Sequence, residues 1–295
     1  MLEQSIAGAV EVARGAGLDT RVVSAAIRGS RVMVELPSHV AWVALTAEAT
    51  ARLTIERMVL QALAGRLPVS IPSSVVHRDR VCVRTRVSGR SGLEHHRRAM
   101  DDQAVGEAWA RQFGMLFAAV HTALSADALE ALIAAGLPTR PAVDLDDARR
   151  GATALSSIKA QRLVDSYEPG EDRTFLHGDL GSHNVVVDGQ GHIVGLYDFD
   201  EACVADRHHE FRWLPSYGEA NLAVALAVYQ AKTGVAVDIA RVRGVHALAA
   251  LEQYGWGLRA PEEHHRTQRT LAQTRAWAER AVADAERLKR IGAAW

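Results

Sequence analysis

No lysine precedes Lys159 in this 295-residue chain. Residues 1–90 carry 12 Arg against 7 acidic side chains, and the remainder carries 22 basic against 28 acidic. A basic first part and an acidic second part suit an anionic ligand meeting a cationic one, although solvated surface charge accounts for the same balance. The net charge of −1 offers no general attraction to nucleic acid or membrane. At 5% of residues, aromatics are too few for a base-stacking platform. Cys82 and Cys203 are lone thiols without CxxC spacing, which fits a reducing, cytoplasmic setting. No run approaches eighteen apolar residues, and Met1-Leu2-Glu3-Gln4-Ser5 lacks the basic-then-apolar pattern of a signal peptide, so no membrane partner is expected. Thirteen histidines are present, but the pairs His95-His96, His208-His209 and His264-His265 are adjacent and no HExxH occurs. Dedicated zinc is not expected.

What remains is an ordinary globular composition, 48% apolar and 23% charged, with room for one large domain or two lobes. The spacing predicts a helix over 3–14, strands over 20–27 and 31–36, and a third strand or helix lead-in over 39–45. Gly15-Ala16-Gly17 precedes a strand instead of following one, which rules out a dinucleotide fingerprint. A helix over 47–63 follows, with Leu53, Met58, Ala62 and Leu63 as its apolar positions and Gly65 and Pro68 beyond its end. Residues 74–76 and 80–87 read as strands, and Ser88-Gly89-Arg90-Ser91-Gly92 as a linker. Beyond it the chain turns helical. A helix over 104–124 places Ala108, Phe113, Leu116, Phe117, Val120 and Leu124 on one stripe, and Ser125 caps another over 125–135. One helix is expected within 138–172, and three over 220–232, 238–258 and 262–291.

The richest stretch is His177-Gly178-Asp179-Leu180-Gly181-Ser182-His183-Asn184, running into Val185-Val186-Val187. An Asp188-Gly189-Gln190-Gly191 turn, a second apolar strand over 193–197 and Asp198-Phe199-Asp200 follow. Pairing of the two strands as a hairpin gathers Asp179, Asn184 and Asp198 at one end of a small sheet. One carboxylate there can orient a hydroxyl and accept its proton. The amide oxygen and the second carboxylate are hard ligands suited to magnesium on a nucleotide.

This arrangement resembles the aminoglycoside phosphotransferase family of small-molecule kinases, relatives of the protein kinases. The H-G-D-x-x-x-x-N spacing matches the family's catalytic loop, and Asp198-Phe199-Asp200 its metal-binding segment. The resemblance implies an α+β, two-lobed protein-kinase-like fold, with a small antiparallel-sheet lobe over 1–87 and a mainly helical lobe over 88–295. It implies transfer of the terminal phosphate of ATP or GTP to a hydroxyl of a small molecule, an aminoglycoside or other cationic antibiotic first among them. Macrolides and metabolites such as amino alcohols, sugars and amino acids are the alternative acceptors. On this reading Asp179 is the catalytic base, Asn184 and Asp198 hold Mg2+, and His177 and Asp200 support them. Glu56 matches the helix acid that pairs with the phosphate-contacting lysine, and Thr85 and Val87 stand where backbone groups meet the purine. Asp200, Trp256, Glu262 and Glu263 are candidates for contact with the acceptor.

One feature departs from the family. The usual third-strand lysine is absent, and Glu35 falls near its place. Arg31, Arg28 or Arg21 could reach the phosphates instead, with the forked geometry of guanidinium. The same absence supports a rival expectation, a pseudokinase-like protein that binds without catalysing. His77-Arg78-Asp79 imitates a protein-kinase triplet, but Arg84 stands where an Asn is needed and the triplet lies between strands.

Overall fold

In the computed structural model, which describes residues 1–141, 143–264 and 269–289, the chain forms two compact units. The first comprises 1–102, 119–139 and 177–203, the second 103–118, 140–176 and 204–295. The division is interleaved: residues 177–203, which carry the His177-Gly178-Asp179 motif, cluster with the residues of the sheet.

The first unit is built on a five-stranded antiparallel sheet, β1 (Ser24–Arg28), β2 (Arg31–Glu35), β3 (His39–Ala44), β4 (Ser74–Arg78) and β5 (Val81–Thr85), in the order β1-β2-β3-β5-β4. Alternation along the strands divides its faces. Val32, Val34, Ala41, Val43, Val81 and Val83 bury one face against α1 (Leu2–Gly15), whose small Ala9 and Ala13 let it lie close. Arg31, Trp42, Cys82 and Arg84 point to the other, where α2 (Ala47–Leu63) packs through Ala49 and Leu53. The Thr46 hydroxyl caps α2 by accepting the Ala49 N–H at 3.1 Å. Its buried stripe is Ala49, Leu53, Glu56, Val59, Leu60 and Leu63. The expected Met58 and Ala62 are only partly buried, because they fall beside this i, i+3, i+4 row. A three-stranded sheet completes the unit, in the order β6 (Arg90–Ser91), β8 (Val185–Val187), β9 (Ile193–Leu196). Here β7 is Thr174–Leu176, which pairs with β10 (Cys203–Ala205).

Helices dominate the chain beyond β6, and of these the segments 92–101 and 126–134 cluster with the first unit. After α3 (Gly92–Asp101), α4 (Gln103–Thr122) buries Trp109, Phe113 and Phe117 in edge-to-face and tilted contacts, whereas Ala108 is exposed. α5 (Ala126–Ala134) starts at its expected Ser125 cap. The single helix expected within 138–172 is two, α6 (Leu145–Ala154) and α7 (Ile158–Asp165). Ser156 turns between them at φ 52° and Ser157 caps the second. Then come α8 (Glu219–Thr233), α9 (Ile239–Arg259), α10 (Pro261–His264) and α11 (Leu271–Lys289). The last two replace the one helix expected over 262–291. Thr270 and Gln273 exchange side-chain-to-backbone hydrogen bonds, a capping box that opens α11 anew. At the α6–α9 crossing, Gly151 faces Leu251 and Gly255 faces Asp147 so closely that a Cβ on Gly255 would stand 1.8 Å from the Asp147 carbonyl. No single helix among the described residues is long and apolar enough to cross a membrane.

His246, on α9, lies buried against Trp277 of α11. Its Nδ1–H donates to the Arg212 carbonyl at 2.6 Å, and its Nε2 accepts from the Trp277 indole at 3.2 Å. Burial pulls its pKa down from 6.5 to about 4, the bond to the Arg212 carbonyl opposing. The unfolded chain takes up this proton near 6.5 and the folded chain only near 4, so the contribution is full above 6.5 and is lost as the pH falls through that window. Urea unfolding at about pH 7 and about pH 4.5 should show the wild type losing on the order of 2–3 kcal/mol more than His246→Phe.

Candidate active site

The β8–β9 hairpin sets the site. Its register places Val185 opposite Leu196, and the Tyr197 N–H donates to the Asn184 carbonyl at 3.0 Å. Asn184 and Asp198 therefore flank the same end of one hairpin. At the other end Asp188 closes the turn by accepting the N–H groups of Gln190 at 2.8 Å and His192 at 2.9 Å.

Asn184 ties back to Asp179. Its Nδ2 donates to the Asp179 carbonyl at 2.9 Å and to the carboxylate Oδ2 at 3.0 Å, which turns the amide oxygen away from Asp179. His183 Nε2 stands 2.9 Å from the same Oδ2. The Asp179 side chain is 22% exposed, held yet reachable. Beneath it, fully buried His177 braces the loop: Nε2–H donates to the Tyr197 carbonyl at 2.9 Å and Nδ1 accepts the Asp179 N–H at 3.2 Å. Gly178, at φ 88°, allows the close pass, since a Cβ there would meet the Glu201 carbonyl at 2.0 Å.

Asp198 adopts the left-handed region, φ 67° and ψ 63°, a conformation that costs a non-glycine residue of order 1–3 kcal/mol. Burial pushes its carboxyl up to about 7; Glu56, Asp179 and Asp200 add to the rise and Arg31 opposes it. Phe199 turns inward against His177, ring centres 4.5 Å apart. Asp200 takes both Nη groups of Arg31, at 3.0 and 2.6 Å. Burial raises its pKa as well, against the pull of Arg31.

Glu56 sits inside the buried stripe of α2. Arg84 grips both its oxygens, Nη2 to Oε2 at 2.7 Å and Nη1 to Oε1. Arg31 Nη1 approaches Oε2 to 3.8 Å, with its guanidinium 4.9 Å above the Trp42 ring. An unbroken series results, Arg84–Glu56–Arg31–Asp200, linking β5, α2, β2 and the Asp198-Phe199-Asp200 segment. The charge of Glu56 raises the Arg84 pKa despite burial, which acts to lower it.

Among the described residues, no three His, Cys, Asp or Glu side chains gather as a self-sufficient metal cage. Magnesium needs none: it takes one or two protein oxygens and completes its shell with phosphate and water. The Asn184 amide oxygen and the Asp198 carboxylate fit that role. A carboxyl crowded by three others is relieved by a nearby divalent charge.

The other expected residues are distributed as follows. Thr85 is already committed, its N–H donating to the Ser73 carbonyl at 2.9 Å and its hydroxyl accepting the Ser73 N–H at 2.8 Å. The Arg86 N–H goes to the Ser38 carbonyl at 2.9 Å. Val87, next in line, makes no hydrogen bond among the described residues. Arg21 and Arg28 are exposed on β1 and its lead-in, apart from the ion-pair series, and Glu35 accepts the Ser24 hydroxyl. Trp256 is half-buried on α9 and Glu262 exposed on α10. Glu263 lies outside the residues whose side chains are described. Sequence reasoning missed Arg84, Trp42 and His183. Alternation marks the first two: Trp42, Cys82 and Arg84 occupy the strand positions that face α2.

These features define a protein-kinase-like fold. The model for the phosphotransferase enzyme family matches residues 15–245, and the chain belongs to that family. No curated protein sequence matches it. Similar solved structures include the macrolide 2′-phosphotransferase MphH from Brachybacterium faecium, 18% identical, TM-score 0.62, covering 91% of this chain and 97% of that one. The GDP complex of aminoglycoside 2′-phosphotransferase-IIIa is 16% identical, TM-score 0.64, covering 95% and 99%. A macrolide 2′-phosphotransferase type I is 20% identical, TM-score 0.59, covering 92% and 95%. At these identities the likeness shows the fold alone: an antiparallel sheet followed by a mainly helical remainder.

Truncating Arg84 strands Glu56 in the core, and breaking a buried pair by removing one partner costs about 3–5 kcal/mol. With Arg31 close enough to share the load, Arg84→Met should fall at the low end, about 3 kcal/mol, in denaturant unfolding.

Proposed function

We propose that the protein transfers the terminal phosphate of ATP or GTP to a hydroxyl of a small molecule, an antibiotic being the first candidate. The observation that carries this reading is the tie between Asp179 and Asn184 at the hairpin end where Asp198 also emerges. The solved relatives named above act on aminoglycosides or macrolides, and one was captured with GDP.

In the reaction the acceptor oxygen attacks the terminal phosphorus, the bond from that phosphorus to the bridging oxygen breaks, and a nucleoside diphosphate leaves. The acceptor's proton passes to the Asp179 carboxylate. The transition state is loose, so Asp179 contributes chiefly by orienting the hydroxyl in line. His177, and His183 and Asn184 at Oδ2, keep that carboxylate in place. The Asn184 amide oxygen and the Asp198 carboxylate would hold magnesium, which would supply positive charge to the donor phosphates. Val87 offers backbone groups to the purine edge. Trp256, Glu262 and Glu263 are the acceptor-side candidates. Asp200, engaged by Arg31, is better suited to supporting the phosphate end than to binding an amine.

The acceptor is tested by measuring nucleoside diphosphate release across a panel of aminoglycosides, peptide antibiotics, macrolides and metabolites. On the best acceptor Asp179→Asn should lower kcat by roughly 100- to 10,000-fold. Full turnover by that variant removes Asp179 from its role. Magnesium-dependent nucleotide binding by calorimetry should vanish in Asp198→Ala. A wild type that binds nucleotide yet releases no diphosphate with any acceptor would favour the non-catalytic alternative.

A further inference from the structure

Two guanidinium groups stand against the acidic cluster, and their situations differ. Arg84 is 4% exposed, and both its Nη groups are engaged by Glu56. It is a structural counter-ion with no reach to a ligand. Arg31 is nearer the surface, its side chain 13% exposed, and it emerges directly after the Gly29-Ser30 turn between β1 and β2. Its plane is fixed by Trp42 on one side and by the bidentate bond to Asp200 at its tip. Those contacts occupy Nη1 and Nη2; Nε has no hydrogen-bond partner among the described residues. Third-strand residue Trp42, which lies on the face toward α2, supplies an indole and no cation.

We propose that Arg31 does the work of the missing lysine: it is the side chain that grips the donor's phosphates, while Arg84 alone is dedicated to holding Glu56. The inference rests on the phosphotransferase reading and adds to it which residue binds the triphosphate and from which strand. Three features make Arg31 fit for that task. Guanidinium remains charged beside any number of buried groups. Its fork can bond a phosphate along the Nε edge while keeping Asp200 at the tip. Asp200, one residue beyond Phe199, couples the grip to the segment that starts at Asp198. Asp200 is a positioning residue for Arg31, and Trp42 is the surface on which the guanidinium lies flat.

The test compares charged and uncharged ligands. Wild type, Arg31→Met, Arg31→Lys and Arg84→Lys are titrated calorimetrically with ATP and GTP, and with adenosine and guanosine, in magnesium. Arg31→Met should bind the preferred triphosphate about 10- to 100-fold more weakly, the usual worth of a charged hydrogen bond. Its affinity for the matching nucleoside should not change. Arg31→Lys should recover part of the loss, as a point charge without the fork. Arg84→Lys should change thermal stability and leave the triphosphate-to-nucleoside ratio near that of the wild type. If Arg31→Met keeps the wild-type ratio, or if only Arg84→Lys loses it, the assignment is overturned while the phosphotransferase reading stands. Wild-type protein that binds neither triphosphate overturns both.

Discussion

A buried carboxylate in a helix core holds this site together. Glu56 occupies a position on α2 where its neighbours in the stripe are alanine, leucine and valine, and a charge there is tolerable only if matched at close range. Arg84 supplies the match from β5 and Arg31 approaches from β2. Both strands are thereby tied to one face of one helix. Arg31 in turn reaches Asp200, so the ordering passes into the segment whose first residue, Asp198, is held in an unfavourable backbone region. Neutralise Glu56 and the fork that meets Asp200 keeps Trp42 beneath it but loses its contact with the helix. The arrangement gives a small sheet the rigidity that phosphate chemistry demands.

Around that acid the charges form two layers. At the inner layer, burial and then the charges of Glu56, Asp179 and Asp200 push the Asp198 carboxyl up. The outer layer is wholly guanidinium in its cations. An amine buried beside such groups shifts its pKa readily, whereas guanidinium holds its proton under nearly any burial. A chain without early lysine has thus not lost its positive charge. It has redistributed that charge over two strands, each arginine keeping a fixed partner.

Local pattern was enough to read the hairpin, because Val185-Val186-Val187, the Asp-Gly turn and the second apolar strand leave one register that buries both faces. The same holds for α2, whose end follows from the glycine and proline beyond it. Long-range partners were not legible. Arg84 lies 28 residues from Glu56 and Arg31 lies 169 from Asp200, and no local periodicity encodes such pairs. Glu56 was legible only through the family resemblance; its place in the buried row shows once the row is counted from Ala49. Ser156 was unreadable for another reason: a serine at positive φ carries no signature that glycine or asparagine would. The interleaving of the two units reflects tertiary contact, with 177–203 clustering with 1–102 and with 119–139.

The all-arginine character of the sheet has a pharmacological side. Many covalent probes of nucleotide-binding enzymes work by acylating an ε-amino group beside the phosphates. In this chain the nearest such group in sequence is Lys159, on a helix of the other compact unit. Acylating reagents of that type have no ε-amino target among residues 1–102, and the thiol of Cys82 is buried under α2. A selective covalent ligand for this enzyme has to be designed for guanidinium, with a dicarbonyl warhead as the natural starting chemistry.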